Sequence, residues 1–118
     1  MRCLLLAGMI LWGCFPPIPT DPPYKMYGEW IHYTDYGSIA LSVMTGETPL
    51  YKWKADGENV VEMGGEIVVG DNIIMLTVEE YFHNYRKIDS STIGPFYFSF
   101  IMIGETLWID DMEFERIR

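Results

Sequence analysis

The sequence predicts an all-β fold, a single small antiparallel up-and-down β-barrel of about eight short strands over residues 24–118. After Tyr24 no segment keeps the periodicity of an amphipathic helix, whereas short runs of aromatic and β-branched residues recur between turn signals. A chain of 118 residues, 49% of them hydrophobic, forms one core at most. Closing the sheet into a barrel would hide strand edges that otherwise promote aggregation.

The first residues have the layout of an export signal. Arg2 is followed by an apolar run over residues 3–12. As a helix this run would reach about 15 Å, half the thickness of a bilayer core, so we expect a removable signal peptide over residues 1–13. Residues 11–14, Leu-Trp-Gly-Cys, resemble the lipobox of bacterial lipoproteins, which implies lipidation of Cys14. A conventional signal peptide, a misassigned start codon and a buried N-terminal strand remain alternatives.

Residues 14–23 are predicted to form the lipidated cysteine and a tether to the folded domain. The tether is predicted because five of the nine residues from Phe15 to Pro23 are proline. Such a segment adopts extended polyproline II conformations, and at about 3.1 Å per residue it would hold a domain roughly 25 to 30 Å from its anchor. We therefore expect a protein anchored by lipid to the bacterial cell envelope, at the outer membrane, its periplasmic face or the cell surface. Cys3 and Cys14 are the only cysteines, so no disulfide joins residues 15–118.

The predicted strands are short runs with aromatic, β-branched or alternating composition, and the predicted turns contain Gly, Asp, Asn, Ser or Pro. The strands cover residues 26–33, 39–45, 50–55, 59–63, 66–69, 73–81, 83–88, 96–103 and 106–117. The turns cover residues 35–37, 46–47, 56–57, 64–65, 70–72, 89–91, 94–95 and 104–105. Residues 96–103 are apolar on both faces, which predicts a strand that is covered on both sides or lines a cavity.

The charge of the chain argues against nucleic acid as a partner. The net charge is -9, and the 8 Lys and Arg residues form no run that could neutralise a phosphate backbone. A solvated acidic surface is the simplest interpretation of this charge, and an acidic patch for a cationic partner is the alternative.

The mature part resembles the small bacterial lipocalin-like lipoproteins in the order of four short motifs. These are residues 27–30 (Tyr-Gly-Glu-Trp), 56–57 (Asp-Gly), 70–74 (Gly-Asp-Asn-Ile-Ile) and 114–116 (Phe-Glu-Arg). The resemblance implies that Gly28 and Trp30 close the barrel floor and that Arg116, near the end of the last strand, packs across the indole. A guanidinium over an indole face contributes about 0.5 to 2 kcal/mol.

No arrangement in the sequence indicates catalysis, a metal site or a cofactor. His32 and His83 lie on separate predicted strands, and no serine lies in a nucleophile motif. The acidic cluster over residues 110–115 contains oxygen ligands that calcium accepts, but a strand would point Asp110 and Asp111 to opposite faces. We expect these acidic residues to form a solvated outer face and the protein to have no enzymatic activity.

The aromatic residues are the best material for a small-molecule pocket, because such sites are mainly apolar. Tyr51, Trp53, Phe98 and Phe100 are the predicted lining residues, and ordinary core packing is the alternative role for each ring. These residues are compatible with two alternative functions. In the first, a small apolar ligand binds inside the barrel. In the second, the barrel is filled and an exposed surface contacts another envelope protein, as in an interaction or inhibitor module.

Overall fold

The computed structural model describes residues 24–118, and in this part of the chain ten antiparallel strands account for nearly all regular structure. They are β1 (Gly28–Tyr33), β2 (Ser38–Met44), β3 (Leu50–Asp56), β4 (Val61–Val69), β5 (Ile73–Leu76), β6 (Glu80–His83), β7 (Arg86–Ile88), β8 (Phe96–Ile103), β9 (Thr106–Ile109) and β10 (Met112–Arg116). Two single 3-10 turns, Tyr24–Met26 and Ser90–Thr92, complete the described part. The predicted signal peptide, Cys14 and the tether lie outside the described residues. None of the helical turns described is long and apolar enough to span a membrane.

Eight of the strands close into a barrel in the order β1-β2-β3-β4-β5-β8-β9-β10, and β10 pairs back with β1. Neighbouring strands follow one another in the chain, except where the β6–β7 hairpin is inserted between β5 and β8. All the pairings are antiparallel, as short turns between consecutive strands require. The predicted antiparallel barrel of eight short strands is therefore confirmed.

Strand β4 pairs with β3 along one edge and with two different strands along the other edge, and this is where the barrel departs from a simple meander. Its second half pairs with β5, while its first half pairs with β6, for example Met63 opposite Tyr81. The chain crosses between the two partners at residues 77–79, so the prediction of one strand over residues 73–81 is wrong. The predicted break at Gly64 and Gly65 is also wrong, because both glycines lie within β4.

Two further turns occur where the sequence predicted continuous strand. Asn84 and Tyr85, with φ values of 51° and 67°, form the tip of the β6–β7 hairpin inside the predicted strand over residues 83–88. Asp110, with φ of 54°, begins the turn between β9 and β10 inside the predicted strand over residues 106–117. The carboxylate of Asp110 accepts hydrogen bonds from the backbone N–H and the hydroxyl of Ser99, at 3.1 Å each. These polar contacts hold a turn that lacks glycine.

Side chains that alternate along the strands fill the barrel interior. The buried apolar residues among those described are Met26, Trp30, Leu41, Val43, Tyr51, Trp53, Met63, Ile67, Val69, Ile74, Leu76, Phe100, Leu107, Ile109 and Phe114. On β8, Phe96, Phe98 and Phe100 point inward, whereas Tyr97 and Ile101 point outward and are exposed. Of the two alternatives predicted for residues 96–103, coverage on both sides is wrong, because no element packs on the outer face of β8 in the described part of the chain. The inward side chains of β8 contribute to the barrel interior.

Candidate functional site

One end of the barrel is closed by a contact between the first and last strands. The Arg116 guanidinium lies over the Trp30 ring, 4.3 Å from the ring centroid. Its Nη1 donates to the carbonyl of Tyr27 at 2.7 Å, its Nη2 donates to the carbonyl of Lys25, and its Nε donates to Glu105. Trp30 is fully buried, and its Nε1 donates to the carbonyl of Met26 at 2.9 Å. The structure thus brings together two of the three motif residues named from the sequence.

Gly28, the third motif residue, lies directly beside this contact. Its φ is 131°, and a Cβ atom at this position would lie 2.6 Å from Arg116 Nη1. Any side chain would therefore both strain the backbone and displace the guanidinium. The arrangement fixes the floor of the barrel and ties residues 25–30 to the end of β10.

Three of the four predicted pocket residues, Tyr51, Trp53 and Phe100, are core side chains, at most 8% exposed. The hydroxyl of Tyr51 donates to the carbonyl of Thr77 at 2.7 Å. Burial raises the pKa of Tyr51 to about 12, and the negative charge of Glu79 adds to the shift. Tyr51 therefore keeps its proton and anchors the segment that leaves β5.

Aromatic packing fills the other end of the barrel. The rings of Trp53 and Phe98 are parallel within 3°, with centroids 6.1 Å apart, and Phe114 lies 5.9 Å from Trp53. Phe96 stacks on Phe98 at 6.3 Å. Trp53 and Phe98, two of the four predicted lining residues, are thus neighbours, and both rings already have aromatic partners within the barrel.

The two histidines lie apart. His32 points towards the barrel interior, where its ring lies 5.4 Å from that of Phe114 and its Nδ1 lies 2.9 Å from the carbonyl of Glu113. His83 lies on the inserted hairpin, opposite Arg86. Within residues 24–118, no group of three His, Cys, Asp or Glu side chains is arranged to hold a metal ion.

An apolar surface covers the outside of β5, β8 and β9. It consists of Ile73, Met75, Tyr97, Ile101, Ile103 and Trp108, which we call the outer apolar face. Tyr97, Ile101 and Ile103 are 63%, 59% and 66% exposed. Met75 lies opposite Tyr97, and Ile101 lies opposite Trp108, so the side chains form one continuous surface across three strands. Along β8 it extends for about 20 Å.

Acidic residues surround the outer apolar face. Glu113 and Glu115 on β10 lie opposite Trp108 and Thr106 of β9. Asp71, Asp110 and Asp111 occupy turns at the ends of the three strands, and Glu105, in the turn between β8 and β9, pairs with Arg116. No Lys or Arg residue lies on β5, β8 or β9. The result is an apolar centre with a negatively charged rim.

Sequence reasoning named the aromatic residues of β8 and missed this surface. The signal was present, because residues 96–103 are apolar at outward as well as inward positions. The pattern predicts a strand that is covered on both sides or lines a cavity, whereas the structure leaves the outward side chains of this strand exposed.

Comparison with known proteins identifies no relative of this chain. No family model, no curated protein and no solved structure matches the chain. The resemblance to lipocalin-like lipoproteins therefore depends on the four short motifs and on the architecture that carries them.

Proposed function

We propose that this chain is a lipid-anchored, non-catalytic protein of the bacterial cell envelope that binds another protein through its outer apolar face. The observation that carries the proposal is the exposure of Tyr97, Ile101 and Ile103 side by side on one strand. Contiguous apolar surfaces of this kind are costly in water and commonly mark interaction sites. Aromatic residues such as Tyr97 and Trp108 are enriched at protein interfaces.

The charges around the outer apolar face indicate what kind of partner it binds. A lipid bilayer with anionic head groups or a second copy of the chain would place negative charge against Glu113 and Glu115. A protein with an apolar centre and a rim of Lys or Arg would instead be attracted to the same residues. The partner we propose is such a protein, reached by the domain through the tether predicted over residues 14–23.

Site-specific crosslinking in the native envelope tests this function. A photoreactive amino acid at position 101 is expected to give a discrete adduct with one protein, whereas the same group at Tyr36 is not. Tyr36 is a suitable control because it is 87% exposed and lies in the turn between β1 and β2. Equal adducts at the two positions, or none at position 101, would argue against the outer apolar face as the binding surface.

The identified partner then permits a test of the acidic rim. The double variant Glu113→Lys/Glu115→Lys is expected to associate about tenfold more slowly at low ionic strength, and high salt should remove the difference. The double variant Glu47→Lys/Glu58→Lys changes the net charge by the same amount and is the matched control, since both residues are exposed in the turns before β3 and β4. An association rate that is the same for all three proteins would exclude electrostatic recognition by the rim.

A second candidate function is the binding of a small apolar molecule at the end of the barrel that contains the Trp53 and Phe98 stack. The observation in its favour is that Phe96 and Phe98 are only half-buried there. Native mass spectrometry of residues 15–118, before and after denaturing extraction, separates the two functions. A small molecule that is retained by the folded protein and lost on unfolding would support the ligand-binding barrel. The mass of the bare chain would favour the protein partner.

A further inference from the structure

A second surface feature, remote from the outer apolar face, lies on the outside of β2, β3, β4 and β6. It is an open groove of about 540 Å³, within the range of small-molecule sites. Ala40, Ser42 and Gly64 form its floor, and the aromatic residues Phe82 and Tyr85 of the inserted hairpin form one wall. We call it the hairpin groove. It depends on the β6–β7 insertion and not on the surface used in the proposed function.

The strand register places the lining side chains in two outward-facing rows. In the first, Ala40, Lys54, Glu62 and Phe82 are successive cross-strand neighbours. In the second row, Ser42, Lys52, Gly64 and Glu80 are neighbours in the same way. In the second row small residues alternate with long charged ones, and in the first row Ala40 is the small member beside three large side chains. The small residues Ala40, Ser42 and Gly64 leave the space of the groove open.

The hairpin displays Tyr85 at an energetic cost. A two-residue hairpin turn with positive φ at both positions favours Asn followed by Gly. Asn84 meets this preference, and its Oδ1 accepts a hydrogen bond from the N–H of Val60 at 2.8 Å. Tyr85 occupies the position that favours glycine, with φ of 67°, while its side chain remains 71% exposed. Packing does not compensate for this backbone conformation, which points to a role for the ring on the surface.

The chemistry of the lining selects a class of ligand. Lys52 and Lys54 contribute two positive charges, and Glu62 and Glu80 contribute two negative charges, so the four groups sum to zero. A phosphate group or an isolated cation would be repelled by one pair as it is attracted by the other. A sugar ring fits both features of the groove, because its hydroxyls donate to carboxylates and accept from ammonium groups, while its C–H face packs on aromatic rings.

We infer that the hairpin groove binds a neutral oligosaccharide, with Tyr85 and Phe82 as the stacking residues and Lys52 and Glu80 as hydrogen-bonding residues. The aromatic wall orients the sugar ring. The paired charges of opposite sign exclude strongly charged ligands and accept a polyhydroxylated one.

Saturation-transfer NMR with the full chain in detergent tests the inference, using cellotriose and triacetylchitotriose as neutral probes and trigalacturonic acid as the charged comparison. We expect transfer of saturation to the ring C–H protons of at least one neutral probe, and no transfer to the charged probe. Absence of transfer to both neutral probes, or preference for the charged probe, would overturn the inference.

Tyr85→Gly is the decisive variant, because it removes the ring and relieves the backbone at once. We expect its affinity for the neutral probe to fall about tenfold while its melting temperature rises. Tyr36→Gly, which removes an exposed tyrosine outside the groove, is expected to bind the probe as the parent does. Unchanged affinity in Tyr85→Gly, or an equal loss in both variants, would show that the probe binds elsewhere.

Discussion

At the scale of single residues, Arg116 does more to hold this barrel closed than its position near the end of the chain suggests. One planar group covers the Trp30 indole and donates to two backbone carbonyls and a carboxylate. Lysine keeps the charge but lacks the planar fork that makes these contacts together. The sequence could suggest the pair of Trp30 and Arg116, since both belong to short motifs, but not the carbonyls of Lys25 and Tyr27.

Arg116→Lys is therefore expected to lower the free energy of unfolding by about 2 to 4 kcal/mol. Arg118→Lys is the control, because the Arg118 guanidinium is 79% exposed and pairs with Glu29 on the surface. Such pairs contribute about 0 to 1 kcal/mol. Urea denaturation of both variants measures the difference, and equal losses would contradict the role assigned to Arg116.

Tyr51 makes the free energy of unfolding of the barrel depend on pH in the alkaline range. Its pKa rises from an ordinary 10.0 to about 12 in the folded state, so the unfolded chain loses this proton first as the pH increases. The stabilisation is fully present below pH 10 and is lost as the pH rises towards 12, by about 2 to 3 kcal/mol. In Tyr51→Phe this part of the pH dependence should vanish. In Tyr36→Phe, which changes an exposed tyrosine, the slope of unfolding free energy against pH should match that of the parent.

At the scale of elements, β4 is the strand on which the topology depends. It pairs with β3 along one edge and is shared by β5 and β6 along the other. The change of partner happens at Gly65, where a Cβ atom would lie 2.3 Å from the carbonyl oxygen of Thr77. The segment from Thr77 to Glu79 can thus pass over β4 only because residue 65 has no side chain.

Gly65→Ala is expected to destabilise the protein by more than about 2 kcal/mol, since the backbone of Thr77 must move and its hydrogen bonds with Glu66 must lengthen. Gly70→Ala serves as the control, because its nearest contact would be an ordinary 3.5 Å from the carbonyl of Ile73. Thermal unfolding followed by circular dichroism compares the two. A smaller loss in Gly65→Ala than in Gly70→Ala would mean that the crossing does not need the glycine.

The elements also show what sequence patterns can and cannot predict here. Tyr51 and Trp53 were correctly predicted to point inward from β3, because they alternate along the strand with Lys52 and Lys54, which face solvent. The turns at Asn84 and Asp110 were missed, since tyrosine and aspartate follow them where glycine usually marks a hairpin. The double glycine at residues 64–65 predicts a turn, whereas in the structure it marks the place where two segments approach closely. Closure of the barrel could be predicted, but not the inserted hairpin.

At the scale of the whole molecule, the two proposed binding surfaces lie on different sides of the barrel. The outer apolar face uses β5, β8 and β9, and the hairpin groove uses β2, β3, β4 and β6. Lys52, Lys54 and Lys87 belong to β3 and β7, whereas β5, β8 and β9 carry no Lys or Arg. A partner protein and a sugar can therefore bind the same molecule without competing for residues.

The barrel and the inserted hairpin should also differ in stability. Each barrel strand is paired on both sides, whereas β7 is paired with β6 alone. In native-state hydrogen exchange, amides of the hairpin should exchange through local opening that depends weakly on urea, while amides of β1, β2 and β9 should exchange with the free energy of global unfolding. If the exchange free energies of the hairpin and barrel amides depended on urea in the same way, the two parts would not differ in stability as predicted.

The positions of the tryptophans have a practical consequence. Trp30 lies against a cation at the closed floor, Trp53 lies in the aromatic stack at the opposite end, and Trp108 lies on the outer apolar face. Three distinct surroundings for the same fluorophore give the barrel its own optical reporters. Emission from Trp108 should shift to the blue when a partner covers it, while emission from Trp53 should respond to any small molecule that binds beside the Trp53 and Phe98 stack.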